Sequence, residues 1–98
     1  MIIGNIVKPG KLKAHPYAQC YWKYCGVKNQ LTFVSYQSSI FSVVETGDGL
    51  SFYPRPTSPN YSRTTAKQTL WALYELGYSY KEAHKIIDGL CSRHIVKA

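Results

Sequence analysis

The chain has few acidic residues, and its first 44 positions contain none. Five Asp and Glu residues face twelve Lys and Arg residues in a sequence of 98, for a formal net charge of +7. The first acidic residue is Glu45, whereas Lys8, Lys11, Lys13 and Lys23 all precede it. A basic half without counter-charge favours a polyanionic partner, such as nucleic acid, a nucleoprotein or an acidic protein groove. A basic protein whose charge serves no partner is the alternative.

Long hydrophobic runs are also missing. No apolar run approaches the ~20 residues of a membrane-spanning helix, and the first residues lack the basic and apolar regions of a signal peptide. We therefore expect a cytoplasmic protein, in a bacterial host, that has no membrane partner. Apolar residues make up 45% of the chain and charged residues 17%, which is too apolar for a disordered tail. The length suits one domain spanning residues 1–98.

Signatures of catalysis and of metal binding are scarce. The sequence has no Gly-rich phosphate loop and no His-Glu-x-x-His motif. Cys20, Cys25, Cys91 and His94 carry the ligand types of a zinc site, but they lack the two-residue thiolate spacing usual in such sites. We predict reduced thiols, no metal, no cofactor and no enzymatic activity. A small metal-dependent enzyme is an alternative that requires these four side chains to converge.

Alternating and aromatic segments predict a β-meander in the first half of the chain. Leu31 and Phe33 alternate with polar or smaller residues, as in a strand that has one buried face. A polar break at 37–39 and a Thr-Gly-Asp-Gly turn at 46–49 separate successive strands. The predicted strands lie within residues 17–27, 31–36, 40–44 and 50–53.

Two helices are predicted after a connector at 54–60 that contains three prolines. Ser62 or Thr64 caps the first helix, and Gly77 suits its left-handed terminus. Ser79 and Glu82 fit a capping box for the second. The apolar stripes are Ala66, Leu70, Leu73 and Tyr74 on the first helix, and Ala83, Ile86, Ile87 and Leu90 on the second.

The predicted fold class is therefore α+β. A small antiparallel sheet (a meander of two to four strands, about residues 17–53) is covered by a C-terminal helical hairpin at about 62–76 and 80–91. A DNA-reading helix-turn-helix is the alternative, with Lys81, His84 and Lys85 on the outer face of its second helix. Such units are usually trihelical, and only two helices are evident.

Cations and flat rings interleave between residues 8 and 28. Cations neutralise phosphates, and rings stack on unpaired bases. The free amides at the start of the first helix also suit phosphate, although plain capping is the alternative there. For the rings, Trp22 above all, a place in the core is the alternative. The candidate nucleic-acid-binding residues are Lys11, Lys13, Tyr21, Trp22, Lys23, Lys28, Arg63 and Lys67.

Two resemblances add to these predictions. Residues 76–83, Leu-Gly-Tyr-Ser-Tyr-Lys-Glu-Ala, resemble the turn of ubiquitin-associated-like helical pairs, which implies a compact helical hairpin with a protein-docking face. Residues 33–70 are similar to an uncharacterised family of small phage and prophage proteins that pair a Ser-Tyr-x-Thr strand with a Tyr-Ser-x-Thr-Thr helix start. Here Ser38 replaces a common threonine, and Gln68 replaces the usual histidine. This resemblance implies a mobile-element origin.

These observations predict a small non-enzymatic phage or mobile-element protein that binds nucleic acid or a nucleoprotein through a basic surface. Because small phage proteins often block a larger host machine, the resemblance implies an inhibitor of a host defence complex such as a CRISPR effector. A basic inhibitor would contact the RNA or DNA of that complex, or an acidic protein patch. The alternative is a protein–protein interaction module that binds a host protein. Exposed aromatic residues would also suit a homodimer.

Overall fold

Six antiparallel strands form one sheet, and they lie side by side in sequence order. The structure, a computed structural model, describes residues 7–24, 30–47, 49–55 and 62–98. The strands are β1 (Gly10–Lys11), β2 (Cys20–Tyr24), β3 (Gln30–Ser35), β4 (Ser38–Thr46), β5 (Gly49–Pro54) and β6 (Val96–Lys97). Strands β2 to β5 form the predicted meander, β1 pairs with β2 at one edge, and β6 returns after the two helices to pair with β5 at the other.

Helix α1 (Arg63–Glu75) forms where the sequence predicts the first helix. Of the two candidate caps, Ser62 is the N-cap, and its Oγ accepts a hydrogen bond from the backbone N–H of Thr65 at 3.1 Å. After the helix ends, Gly77 has a φ of +100°, a conformation that glycine adopts readily. The first predicted helix and its termination signals are confirmed.

The buried face of α1 differs from the predicted stripe. Tyr74 is exposed, whereas Gln68 and Thr69 are buried. Gln68 faces the sheet because its Oε1 accepts a hydrogen bond from Ser35 Oγ on β3 at 2.5 Å. A satisfied polar pair therefore takes a position that apolar periodicity alone assigns to the surface.

Helix α2 (Tyr80–Cys91) is confirmed over its full predicted length. Ser79 and Glu82 form both hydrogen bonds of the predicted capping box, at 3.0 and 3.3 Å. The predicted apolar stripe is buried in full, namely Ala83, Ile86, Ile87 and Leu90.

Aromatic rings on one face of the sheet form the centre of the core. Trp22 contacts Phe33 and Phe41 at centroid distances of 5.3 and 5.8 Å, and Phe41 contacts Phe52 at 5.6 Å. Ring pairs at these tilted and edge-on geometries add to the free energy gained from apolar burial. Both helices cover this face, with α1 against β3 and α2 against β5. The two helices are thus a hairpin packed on a sheet, as expected, and not part of a trihelical unit within the described residues.

The sheet is larger than the two to four strands predicted. Strands β1 and β6 have two residues each, too few to show an alternating pattern. Residues 92–98, which follow the second predicted helix, include β6, which pairs with Ser51 and Phe52. The break predicted at 37–39 is a tighter turn at Tyr36 and Gln37, because β4 already begins at Ser38.

The predicted turn between β4 and β5 is confirmed by the pairing of Thr46 with Gly49. Asp48 of that turn lies outside the described residues, as do Cys25, Lys28 and most of the proline-containing connector.

Candidate nucleic-acid interface

Alternation along the strands divides the side chains of the sheet between two faces. Paired residues on neighbouring strands point to the same face, and successive residues point to opposite faces. Phe33, Phe41 and Phe52 face the helices, so the residues next to them in sequence face away. We define the Lys–Tyr face as the at least partly exposed lysines and tyrosines on the side away from the helices: Lys11, Tyr21, Lys23, Tyr53 and Lys97.

One cross-strand row connects the two sides of this face. The register pairs Lys23 with Thr32, Thr32 with Ser42, and Ser42 with Tyr53. Thr32 Oγ1 and Ser42 Oγ share a hydrogen bond of 2.9 Å, and both residues are buried. The large side chains of Lys23 on β2 and Tyr53 on β5 thus flank the small hydroxyl side chains on the two central strands, β3 and β4. Three strand spacings place Lys23 and Tyr53 about 14 Å apart across the sheet.

The side-chain carboxylates of the described residues lie away from the Lys–Tyr face. Glu75, Glu82 and Asp88 belong to the helices. Glu45 pairs with the core residue Leu50 and therefore belongs to the helix-facing side of the sheet. Within the part of the chain that the structure describes, the Lys–Tyr face thus carries lysines and no acidic side chain, which suits a polyanion.

The fold brings three of the predicted site residues together on this face. Lys11 on β1 pairs with Tyr21 on β2, and Lys23 follows on the same side of β2. Lys11 Nζ donates a hydrogen bond to the Ala18 carbonyl oxygen at 3.1 Å, which fixes the amine beside the start of β2. Lys28 lies outside the described residues.

Trp22 does not belong to the interface, and its prediction as a stacking residue is wrong. Its side chain is 1% exposed and lies on the helix-facing side, in contact with Phe33 and Phe41. Adjacent strand residues point to opposite faces, so only one of Tyr21 and Trp22 could face away from the helices. The larger and more apolar ring is in the core.

Lys13 and Lys67 belong to a separate cluster beside α1. The His15 ring stacks on Trp71 with centroids 3.6 Å apart and planes at 10°. Lys67 Nζ lies 5.2 Å from the Trp71 ring centroid, in a cation–π contact. The Lys13 backbone N–H donates to Glu75 Oε2 at 3.2 Å. These contacts attach the segment before β2 to α1, so they have a structural role that the sequence pattern does not reveal.

Electrostatics in this cluster centres on Glu75. Burial raises the pKa of its carboxyl, while the hydrogen bond and the charge from Lys13 act in the opposite direction. A depression of about 230 Å³ beside it is lined by Lys13, Ala14, His15, Trp71, Tyr74 and Glu75. Because a carboxylate lines it, this depression is less suited to a polyanion than the Lys–Tyr face.

Arg63 is the exposed first residue of α1. The hydroxyls of Ser62 and Thr65 take part in local hydrogen bonds, because Ser62 Oγ accepts the Thr65 N–H and donates to Thr65 Oγ1 at 3.0 Å. The capping interpretation of this segment is therefore confirmed. Arg63 lies away from the Lys–Tyr face, on the side of the sheet that the helices cover.

Sequence reasoning missed Tyr53 and Lys97. Tyr53 could have been found, because the predicted strand at 50–53 alternates and places it with Ser51 on the polar side. Lys97 could not, because its position depends on β6 and on the pairing of that strand with Ser51 and Phe52.

The candidate metal ligands do not form a site within the described residues. Groups of three or more His, Cys, Asp or Glu side chains that could hold a metal ion are absent from that part of the chain. Cys20 is buried in β2, and Cys91 is exposed at the end of α2. Desolvation by burial raises the pKa of both thiols, which favours the protonated and less nucleophilic form.

Comparison of the chain with protein-family models, with curated proteins and with solved structures gave no match. Among the described residues, no helix has the length and apolar character needed to cross a membrane.

Proposed function

We propose that this chain binds nucleic acid through the Lys–Tyr face. The observation that supports the proposal is the separation of charge by the sheet. Lys11, Lys23 and Lys97 lie on one side with two tyrosines, while the side-chain carboxylates of the described residues belong to the other side. Three of the chain's twelve Lys and Arg residues thus share one face of the sheet with no acidic side chain among the described residues.

Two physical effects contribute to this binding. Each lysine that meets a phosphate releases condensed counterions, so affinity falls as the salt concentration rises. Tyr21 and Tyr53 add ring faces to the same surface, and rings stack on bases without strong sequence preference. The proposed function is therefore non-catalytic binding, in which the charges supply affinity and the rings supply contact area.

The resemblance to phage proteins suggests a specific form of this function. The nucleic acid would then be part of a host nucleoprotein, such as a CRISPR effector, and the chain would act as its inhibitor. Phage origin and inhibition remain predictions from sequence. The alternative of a host-protein module differs in its response to salt, because an apolar protein interface is far less salt-sensitive than phosphate contacts.

The test is fluorescence anisotropy with labelled single-stranded DNA, duplex DNA and RNA at several salt concentrations. The double variant Lys23→Ala/Lys97→Ala removes two charges from the Lys–Tyr face. We expect it to weaken binding and to reduce the log–log salt slope by about 1.4 on single strands, from ~0.7 per phosphate contact.

A matched control removes the same charge from the opposite side. Lys81 and Lys85 are exposed on α2, so Lys81→Ala/Lys85→Ala lowers the net charge by the same amount. We expect this control to retain near wild-type affinity. Equal losses in both double variants would mean that net charge alone drives binding, and a lack of binding at low salt would contradict the proposal.

A further inference from the structure

The turn between β3 and β4 has a strained backbone. Tyr36 has a φ of +49° and Gln37 a φ of +71°, both in the left-handed region. Two-residue hairpin turns of this kind strongly favour Asn-Gly, because other residues meet steric resistance there. Strain of this kind is found preferentially at functional sites, where the side chain that it positions is required. The strained turn is therefore a candidate position for a bound ligand.

Both turn residues line a depression of about 330 Å³ at the edge of the Lys–Tyr face. Its lining comprises Lys11, Gln19, Tyr21, Tyr36 and Gln37, which we call the turn pocket. The backbone N–H of Tyr36 donates to the Gln19 carbonyl oxygen at 2.9 Å, so the turn is held against the residue that precedes β2. The Tyr36 side chain is 57% exposed. The pocket thus combines a fixed backbone with accessible side chains.

The lining groups match the parts of a nucleotide. The two tyrosine rings offer faces for stacking on a base. The two glutamine side chains each offer an amide that can both donate to and accept from a base edge. Lys11 supplies an ammonium, whose bond to Ala18 uses one of its three N–H groups. The volume lies at the lower end of the range for small-molecule pockets, which suits one nucleotide.

We propose that the turn pocket binds an unpaired nucleobase, so that the nucleic acid held by this chain is single-stranded. The inference rests on the proposed function and deepens it. A paired base in a duplex has its faces covered by its neighbours, and it cannot enter a pocket without being flipped out. A base in a single strand has both a free face and a free Watson–Crick edge.

The position of the pocket fits a strand that continues over the Lys–Tyr face. Lys11 and Tyr21 belong to both, and Lys97 lies five strand spacings from Lys11, or about 24 Å measured across the strands. A strand with one base in the pocket therefore meets the phosphate-binding lysines on the nucleotides that follow. DNA and RNA share the stacking and base-edge chemistry of this arrangement, and they differ only at the 2′-hydroxyl.

The test uses a variant that removes the ring without adding backbone strain. Tyr36→Asn places at the turn a residue that tolerates positive φ, so the hairpin is retained. We expect it to weaken binding of fluorescein-labelled DNA and RNA decamers by about fivefold or more, the loss of one stacked base. Binding of a blunt duplex and the salt slope should not change. Comparing DNA and RNA decamers of one sequence identifies the preferred sugar.

The control is Tyr17→Asn, which removes a ring that is 95% exposed and is not part of the turn pocket. We expect it to bind as the wild type does. Wild-type affinity of Tyr36→Asn for the decamers, or equal weakening of decamers and duplex, would overturn the inference while the lysine variants still supported nucleic-acid binding. Absence of binding by every probe at low salt would overturn both proposals.

Discussion

At the residue scale, Gly89 on α2 is required by the close approach of β6. A Cβ at this position would overlap the Val96 Cγ2 methyl group far inside van der Waals contact. Alanine favours a helix over glycine by up to ~1 kcal/mol, but overpacking costs typically 1–3 kcal/mol. We therefore expect Gly89→Ala to lower the free energy of unfolding, measured by urea denaturation.

The matched rescue for Gly89→Ala is Val96→Ala. This substitution removes the methyl group that the new Cβ would meet, so the double variant should be more stable than the sum of the single effects predicts. If the changes in the free energy of unfolding of the two single variants add up to that of the double variant, the two side chains do not interact. Because Val96 places Lys97, a rescue would also confirm the contact that positions one end of the Lys–Tyr face.

Residue identities in the candidate site could be predicted only in part. Lys11, Tyr21 and Lys23 were predicted because cations and rings alternate in that segment. Trp22 was wrongly included, because alternation shows that Tyr21 and Trp22 differ in face but not which of them is buried. Tyr36 and Gln37 could not be predicted, since neither residue type favours the left-handed conformation that they adopt.

At the scale of elements, the capping box of α2 makes stability depend on pH. The Ser79 backbone N–H, followed by the Ser79 hydroxyl and the Lys85 charge, lowers the pKa of the Glu82 carboxyl. A lowered folded-state pKa means that the carboxylate stabilises the fold above its unfolded pKa of about 4.3. This contribution is lost as the pH falls through the folded-state pKa.

We therefore expect Glu82→Gln to be less stable than the wild type at neutral pH. Glutamine is isosteric and keeps a hydrogen-bond acceptor, so the difference reports on charge. The two proteins should converge in chemical denaturation as the pH falls through the lowered folded-state pKa of Glu82, because the wild-type carboxyl is then protonated as well. A difference that persists unchanged at low pH would show that the charge of Glu82 has no role.

Elements differ in how well local sequence specifies them. Helix α2 was predicted to the residue because its cap, its apolar stripe and its length all agree. Strands β1 and β6 were missed because two residues carry no periodicity, and their pairing depends on partners far along the chain. The buried face of α1 was misassigned because Ser35 and Gln68 satisfy each other across elements.

At the scale of the whole molecule, the sheet separates charges that the sequence only partly separates. Lys97 is the next-to-last residue, yet it joins Lys11 and Lys23 on one face because β6 returns to the sheet. Folding therefore brings three lysines from distant parts of the sequence onto one surface, which the unfolded chain does not possess. Net charge was predictable from composition, whereas this arrangement required the register of all six strands.

Thermal unfolding can distinguish binding by the folded Lys–Tyr face from binding by net charge alone. The unfolded chain carries the same formal charge of +7, so a polyanion bound by charge alone would bind both states and stabilise neither. A ligand that binds only the folded state, at a concentration of 100 times its Kd, raises the free energy of unfolding by about 2.7 kcal/mol. For a domain of this size, that raises the Tm by about 10 °C. We expect a single-stranded decamer to raise the Tm of the wild type at low salt. The increase should be smaller for the double variant Lys23→Ala/Lys97→Ala. A decamer that binds but leaves the Tm unchanged would show that the folded surface has no advantage over the unfolded chain.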